Sequence, residues 1–196
     1  MSTQAAAVRA TLVPRSGILT DALLVLAGTG LVSASAQVSI PLPFTPVPIT
    51  GQTFAVVLVG AALGALRGAT SLLLYVGIGI LGAPVYADQT HGWDVFTGPT
   101  GGYLVGFIAA AALTGRLAER HWDRRFPSSV AATLSGNVLI YVPGLFWLAH
   151  VIGTNLEGTL EAGLYPFVVG DLLKLYLAGA LLPVAWRLVE RVERRP

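Results

Sequence analysis

Six apolar stretches run along this chain of 196 residues, and they restrict its fold more than any other feature. They cover residues 18–36, 50–66, 69–81, 101–117, 130–151 and 164–189. A membrane-spanning helix needs about 20 mostly apolar residues. Charged residues make up 11% of the chain, against about 25% in a soluble domain. We therefore predict an all-α integral membrane protein with six transmembrane helices, forming a single transmembrane domain over residues 1–196.

The order of the arginines supports this division independently of hydropathy. With six crossings, nine of the 11 arginines fall before the first stretch, in the even-numbered connections or after the last stretch, and Arg116 and Arg187 lie within the last three residues of the fourth and sixth stretches, so all 11 are expected on one side. The opposite connections carry four carboxylates and no Lys or Arg: Asp88, Asp94, Glu157 and Glu161. Because loops rich in Lys and Arg stay in the cytoplasm, we expect both termini to be cytoplasmic.

Two flanking segments complete this organisation. A short polar segment, 1–15, precedes the first stretch, and a basic tail, 187–196, follows the last. The rest of the chain is as apolar as the first stretch, which argues against a cleaved signal peptide. The second and third stretches are short and separated by Arg67 and Gly68, so we expect a tight helical hairpin there. Residues 40–49, with four prolines, and 82–98 cannot form regular helix and are expected to be irregular outer loops.

The composition excludes several classes of function. There is no cysteine, which excludes disulfides, thiolate metal sites and cysteine nucleophiles. The net charge of +2 is too small to indicate nucleic-acid binding. The three histidines are far apart in sequence, so we predict no metal site. No P-loop motif is present, so the chain does not hydrolyse ATP by that route.

One pair of charges lies inside an apolar stretch and away from its ends. Asp171 and Lys174 are three residues apart in the sixth stretch, so they share one face of a helix. An ionisable side chain at the centre of a bilayer costs about 2.5–3.5 kcal/mol. The pair could lock two helices together or face a ligand. We favour the ligand, because Lys174 is the only lysine in the chain.

Further polar residues occur at the same outer level of the predicted bundle. Asn137 and Tyr141 share a face of the fifth helix, Gln52 opens the second and Tyr103 opens the fourth. Each alone is typical of a hydrogen bond between packed helices. Together with the charged pair, beneath two irregular loops, they predict an occluded small-molecule site near the external surface.

Four motifs, in this order, resemble the BioY family. They are PVPITGQTF at 46–54, GAPVY at 82–86, GPTGGYLVG at 98–106 and PFVVGDLLK at 166–174. BioY proteins are the biotin-specific substrate-binding components, or S components, of energy-coupling factor (ECF) transporters. The resemblance implies the six-helix S-component fold in a prokaryotic cell membrane. It also implies external capture of biotin, with no enzymatic activity and no cofactor besides the transported ligand.

The resemblance also implies partners and site residues. The partners are a transmembrane coupling protein and two ABC-type ATPases. The coupling protein is expected to dock on small residues of the first helix, here Ala27, Gly30 and Ala34. Asp171, Lys174, Tyr103 and Gln52 match the family motifs as binding residues. The lid loop departs from the family and reads ADQTHGWD at 87–94, where Thr90 and Trp93 are candidate ligand contacts. Trp93 could equally be a residue of the membrane interface.

Other functions stay open at this point. The chain could be an S component for a different vitamin, or a solitary biotin transporter that works without a coupling module. An intramembrane enzyme with Asp171 as general base is a further alternative. It is disfavoured because no second catalytic group with suitable spacing is evident.

Overall fold

The computed structural model of the protein describes the backbone of residues 17–193 and the side chains of residues 17–187. The predicted polar segment 1–15 and the last three residues of the basic tail lie outside this part. Eight helices occur among the described residues: α1 Ile18–Ala36, α2 Gln52–Leu63, α3 Ala65–Ile80, α4 Trp93–Thr97, α5 Gly101–Ala118, α6 Phe126–Ile152, α7 Leu156–Gly163 and α8 Val168–Glu193. Two short strands, β1 Ser39–Ile40 and β2 Ile49–Thr50, and three 3₁₀ turns at Ala87–Gln89, Trp122–Arg124 and Tyr165–Phe167 complete the described fold.

Four segments of the described chain are long and apolar enough to cross a membrane: Ile18–Ala36, Gly101–Ala118, Phe126–Ile152 and Leu156–Arg187. The predicted second and third spans correspond to α2 and α3, which have 12 and 16 residues. At 1.5 Å per residue these helices are about 18 and 24 Å long, whereas the hydrocarbon core is about 30 Å thick. Length and composition therefore account for four of the six predicted crossings.

The break between α2 and α3 lies at Gly64 and not at the predicted Arg67 and Gly68. Gly64 has φ +85°, a conformation that favours glycine. Arg67 lies in the first turns of α3, where its Nε is 2.8 Å from Asp21 Oδ1 at the start of α1. The backbone N–H of Ala65 donates to Glu119 Oε1 at 2.9 Å, so the carboxylate satisfies one free N–H at the start of α3. Arg67 suggested a loop in the sequence, but in the structure it lies within α3 because its charge is paired with Asp21 on α1.

Other predicted boundaries also differ from the structure. Helix α6, which corresponds to the fifth predicted span, begins at Phe126, four residues before the predicted start. Helix α8, which corresponds to the sixth predicted span, begins at Val168, after the 3₁₀ turn that contains Pro166. It continues to Glu193 and therefore includes part of the predicted tail. Residues 82–98 were expected to contain no regular helix, which is wrong over Trp93–Thr97. The alternation of apolar and polar residues there is too short to show a helical period.

Helix α5 lies at the centre of the bundle and packs on α2, α3 and α6. Glycines permit these helices to approach closely. A Cβ on Gly106 would lie 2.8 Å from the backbone of Ile140 on α6, and one on Gly60 of α2 would lie 2.5 Å from the carbonyl oxygen of Ala111. Small residues therefore set the spacing of the helices around α5.

At one end of the bundle, the hairpin end, β1 and β2 pair antiparallel with Ser39 opposite Thr50. The residues between them include four prolines, which lack the N–H group needed for further pairing. Tyr86, in the loop after α3, is buried and its hydroxyl donates to Val76 O at 2.7 Å. Burial raises the pKa of Tyr86 to about 12, so the hydroxyl remains a donor at neutral pH.

Single side chains join the connections at the hairpin end to their neighbours. Thr45 Oγ1 donates to the carbonyl oxygen of Ala162 at 2.6 Å. Gln37 Nε2 donates to Tyr86 O at 3.1 Å, and Trp147 Nε1 donates to Gly98 O at 2.9 Å. These bonds hold the hairpin, the loop over residues 82–98 and the α7 region around the same end of the bundle.

Candidate functional site

A cavity of about 450 Å³ lies under the hairpin and the 82–98 loop. Much of its wall is apolar and comes from the hairpin, α5, α6 and the turn before α8: Pro46, Val47, Leu104, Phe107, Ile140 and Phe167. Its polar residues lie at two levels. Asp88, Thr90 and Asp94 are exposed in the loop, whereas Asp171 is buried in α8. This combination of apolar walls and a few convergent polar groups is typical of small-molecule sites.

The buried polar end of the cavity is organised around Asp171. Lys174 Nζ lies 3.0 Å from Asp171 Oδ1, and Thr53 Oγ1 donates to the same oxygen at 3.3 Å. Tyr141 OH and Asn137 Nδ2 donate to Oδ2 at 2.5 and 3.3 Å. Three helices therefore meet at one carboxylate, because Thr53 belongs to α2, Asn137 and Tyr141 to α6, and Asp171 to α8.

Local structure explains why these side chains meet. The hairpin ends at β2, and α2 begins two residues later, which places Thr53 in its first turn at the cavity. On α6, a spacing of four residues puts Asn137 and Tyr141 on the face that meets α8. On α8, Asp171 lies in the first turn, and the spacing of three residues brings Lys174 beside it.

Most of the predicted site residues reach the cavity. Asp171, Lys174, Tyr141, Tyr103, Gln52 and Thr90 line it. Asn137 does not line this cavity: it donates to Asp171 and lines a smaller space next to it. Trp93 does not line the cavity described here: it is 61% exposed, and its ring lies 5.5 Å from that of Phe96.

Several of the predicted residues have their polar atoms bonded within the protein. Gln52 Nε2 donates to Tyr75 OH at 2.7 Å, and its Oε1 accepts from Thr50 at 2.9 Å. Tyr103 OH donates to Gly163 O at 2.9 Å. Thr90 Oγ1 donates to Ala87 O at 2.8 Å. These side chains shape the wall, whereas the charged pair provides the buried polar end.

Sequence reasoning missed Thr53 and Tyr75. Thr53 follows the predicted Gln52 directly, but its partner Asp171 is 118 residues away, so no periodicity within one helix links them. Tyr75 is fully buried and accepts a hydrogen bond from Gln52. In the sequence it is one aromatic residue within the apolar helix α3, and nothing there distinguishes it from a packing residue. Asp88 and Asp94 were identified as outer carboxylates but not as residues of the cavity wall.

The sequence model of the BioY family matches residues 3–191 of the chain. The chain belongs to the BioY family. The biotin transporter BioY of Rhodobacter capsulatus is 40% identical over 153 residues, covering 72% of this chain and 79% of the relative. The biotin transporter BioY of Thermotoga maritima is 39% identical over 166 residues, covering 85% of this chain and 94% of the relative.

A solved structure supports the fold. The crystal structure of the S component for biotin from an ECF-type ABC transporter aligns with a TM-score of 0.74 at 22% identity, covering 91% of this chain and 93% of that one. The predicted family and S-component fold are thus confirmed. The expectation that this BioY chain is not an enzyme is also confirmed, because the family consists of transport components.

Proposed function

We propose that the protein captures biotin from outside the cell and delivers it to the cytoplasm as the substrate-binding subunit of an uptake transporter. The observation that carries this proposal is the buried pair of Asp171 and Lys174 at the end of an apolar cavity in a BioY-family chain. The two matched relatives named above are biotin transporters.

The cavity suits the chemistry of biotin. Biotin has an apolar fused-ring body and aliphatic chain, with polar atoms at the ureido group and the carboxylate. The cavity offers apolar walls to the body and the charged pair to a polar end. A charged donor is well suited to bind an oxygen of either polar group, because hydrogen bonds involving ionised groups are stronger than neutral ones.

The proposed topology has six crossings in one transmembrane domain, in the membrane of a prokaryotic cell. Arg67, Glu119 and Asp21 lie together at the end of the bundle opposite the hairpin. This agrees with the single arginine-rich side found in the sequence. The positive-inside rule then gives cytoplasmic N- and C-termini and places the cavity on the external side.

Transport needs a source of energy, and the sequence has no P-loop. We assign that role to an ECF transmembrane coupling protein with two ABC-type ATPases. Ala27, Gly30 and Ala34 lie exposed on α1, so this small-residue face is available for docking. A solitary biotin transporter is the alternative. Uptake assays in cells with and without an ECF module separate the two.

The direct test is biotin binding by the purified protein. Asp171→Asn and Lys174→Ala should each weaken binding by more than tenfold, or about 1.4 kcal/mol. Glu157→Gln is the matched control, because it removes an exposed carboxylate at the same end of the bundle and should leave the affinity unchanged. Competition with other vitamins tests the alternative substrate. Displacement of biotin by another vitamin at lower concentration would overturn the assignment of biotin.

A further inference from the structure

The connection between α5 and α6 carries three arginines whose charges are unpaired. Residues 120–126 are called the basic turn here. Arg120, Arg124 and Arg125 are exposed, and among the described residues their guanidinium groups have neither a carboxylate partner nor a hydrogen-bond acceptor. Each guanidinium offers five N–H donors. The basic turn therefore presents positive charge and unused donors to its surroundings.

The negative charges near the basic turn are engaged elsewhere. Asp123 lies within the turn but is 1% exposed and accepts a hydrogen bond from Trp186 of α8. Glu119, just before the turn, accepts from Arg116 at 3.3 Å and from the backbone N–H of Ala65 at 2.9 Å. Neither carboxylate forms an ion pair with the three arginines in the described structure. The exposed charge of the turn is therefore positive.

Contacts with α8 fix the position of the basic turn. Trp186 holds the turn through its bond to Asp123. The guanidinium of Arg124 lies over the same ring, 4.3 Å from its centre. A cation–π contact uses no hydrogen-bond acceptor, so the N–H donors of Arg124 stay available although its side chain is held in place.

The basic turn lies close to the membrane surface. It joins Gly101–Ala118 and Phe126–Ile152, which are each long and apolar enough to cross a membrane. Residues 119–125 separate these two helices. A chain of this length that leaves the membrane and returns can extend about 12 Å from it. Because the Debye length at physiological ionic strength is about 8 Å, the arginines lie within electrostatic reach of the lipid headgroups.

Exposed aromatic rings accompany the arginines. Trp122 and Phe126 are both 41% exposed. The Phe126 ring lies 5.3 Å from that of Tyr176 on α8, which is 58% exposed. Tyr176 precedes Trp186 by ten residues, or about 15 Å along the helix toward the hairpin end. The Phe126 ring is therefore directed from the turn along the exposed side of α8, toward the membrane interior.

We propose that the basic turn binds the phosphate of an anionic phospholipid, with Phe126 and Tyr176 beside one of its acyl chains. The guanidinium group matches phosphate oxygens in geometry and charge. Basic pockets between membrane helices on the cytoplasmic side bind anionic headgroups in other proteins. The site requires that α5 and α6 span a membrane, and it is independent of biotin binding.

The position of the basic turn favours a lipid over a protein partner. The face proposed for docking the coupling protein belongs to α1, which packs on α2 and α3. The basic turn packs instead on α5, α6 and α8. Its arginines adjoin the exposed ring pair of Phe126 and Tyr176, and exposed rings on membrane helices contact lipid.

Lipid binding by the full-length protein in a non-ionic detergent tests the proposal. Phosphatidylglycerol and phosphatidylcholine with identical acyl chains are titrated separately, and native mass spectrometry gives the dissociation constant of the first bound lipid. Phosphatidylglycerol should bind more tightly by at least about fivefold. The triple variant Arg120→Gln, Arg124→Gln, Arg125→Gln should bind both lipids equally. Equal binding of the two lipids by the unaltered protein, or an unchanged preference in the triple variant, would overturn the proposal.

A matched pair of single variants separates the site from net charge. Arg125→Gln and Arg116→Gln each remove one exposed arginine at the same end of the bundle, but Arg116 is paired with Glu119. Arg125→Gln should lower the preference for phosphatidylglycerol by at least about twofold, whereas Arg116→Gln should preserve it. Equal losses in the two variants would contradict a specific site.

Inorganic phosphate in large excess separates a lipid from a free anion. It should leave bound phosphatidylglycerol in place, because it has no acyl chain to contact Phe126 and Tyr176. Displacement of the lipid by phosphate would overturn the assignment of a phospholipid.

Two exposed tryptophans provide a test with all arginines present. The protein is placed in phosphatidylcholine vesicles that contain phosphatidylglycerol, and an equal number of molecules of one lipid or the other carries brominated, quenching acyl chains. The fluorescence lost in Trp122→Phe and in Trp93→Phe gives the contribution of each tryptophan. Trp122 should be quenched at least about twofold more by brominated phosphatidylglycerol. Trp93, at the hairpin end beside Asp94, should be quenched equally by both lipids. Equal quenching of Trp122 by the two lipids would overturn the proposal.

Discussion

Two buried carboxylates lie at opposite ends of the bundle, and their surroundings differ sharply. Asp171, at the hairpin end, is 4% exposed and accepts four hydrogen bonds within the described structure. Asp123, in the 3₁₀ turn at the opposite end, is 1% exposed. Trp186 Nε1 donates to its Oδ2 at 2.5 Å, while Oδ1 has no partner among the described residues. Helix α8 serves both sites, because it contains Asp171 and Trp186.

The difference shows how the same buried group is accommodated in two ways. Burying a carboxylate is costly unless hydrogen bonds or charges compensate. At Asp171 the compensation is complete and includes a cation. At Asp123 it is partial, and burial raises the pKa of the carboxyl group, although the Trp186 bond opposes this shift. The guanidinium of Arg124 lies 4.3 Å from the centre of the Trp186 ring and adds a cation–π contact. In the proposed function the first site binds the ligand, whereas the Trp186–Asp123 bond at the second site attaches α8 to the turn before α6.

The largest effect is expected when Asp171 is truncated. Asp171→Ala removes the acceptor shared by Lys174, Thr53, Tyr141 and Asn137 and should lower the free energy of unfolding by about 3 kcal/mol. Asp123→Ala should cost about 1 kcal/mol, because only one donor loses its partner. Thermal unfolding of both variants in the same detergent measures the difference. A larger loss for Asp123→Ala would reverse the comparison.

Removing the donor at the opposite end should separate stability from binding. Trp186→Phe keeps a ring beneath Arg124 but leaves the Asp123 carboxylate without its hydrogen bond, at a cost of about 2 kcal/mol in unfolding free energy. Trp186 lies 15 residues from Asp171 on α8, a distance of about 22 Å along the helix. Biotin affinity, measured by titration, should therefore change by less than twofold. A tenfold loss would show that the two ends are coupled through α8.

The pH dependence of stability should distinguish the two ends more finely. Because the pKa of Asp123 is raised in the folded protein, folded protein binds this proton more tightly than unfolded protein. The Asp123 contribution should thus favour folding increasingly as pH falls through the folded-state pKa toward the ordinary value of 3.8. The difference in melting temperature between the unaltered protein and Asp123→Asn, followed from neutral pH down to the ordinary value of 3.8, measures this contribution. If the difference does not change with pH, the raised pKa is contradicted.

The smallest effect is expected at Trp93. Its exposed ring lies outside the cavity wall, so Trp93→Ala should change biotin affinity by less than twofold in a binding titration. Tyr103→Phe is a useful comparison, because Tyr103 lines the cavity and its hydroxyl bonds to Gly163. A loss at Trp93 greater than that at Tyr103 would show that the loop closes over the ligand.

The sequence predicted those parts of the site that lie on one helix. Asp171 and Lys174 were identified by their spacing within an apolar stretch, and Asn137 and Tyr141 by theirs. Thr53 could not be identified in this way, because threonine is unremarkable in an apolar helix and its partners lie more than 100 residues away. The direction of the Trp93 side chain could not be predicted either, because the five-residue helix α4 is too short to show a helical period in the sequence.

The same limit applies to the fold. Apolar length identified the long helices, and the prolines identified the interruption that became the hairpin. The break at Gly64 depended on a backbone conformation and on Glu119, which directly follows α5 and is 54 residues from Ala65 in the chain. Arg67 drew the predicted boundary toward itself because an arginine between apolar stretches usually marks a loop. Its ion pair with Asp21 is a tertiary contact that local sequence does not show.

The side chains that join the connections at the hairpin end bear on how long a ligand stays bound. Thr45, Gln37 and Trp147 each donate to a carbonyl oxygen in a different segment, so these three bonds tie together the segments at the cavity end of the bundle. Changes within a binding surface usually affect dissociation more than association. Weakening any of these links, for example with Thr45→Val, should therefore shorten the residence time of the ligand while leaving its rate of entry nearly unchanged.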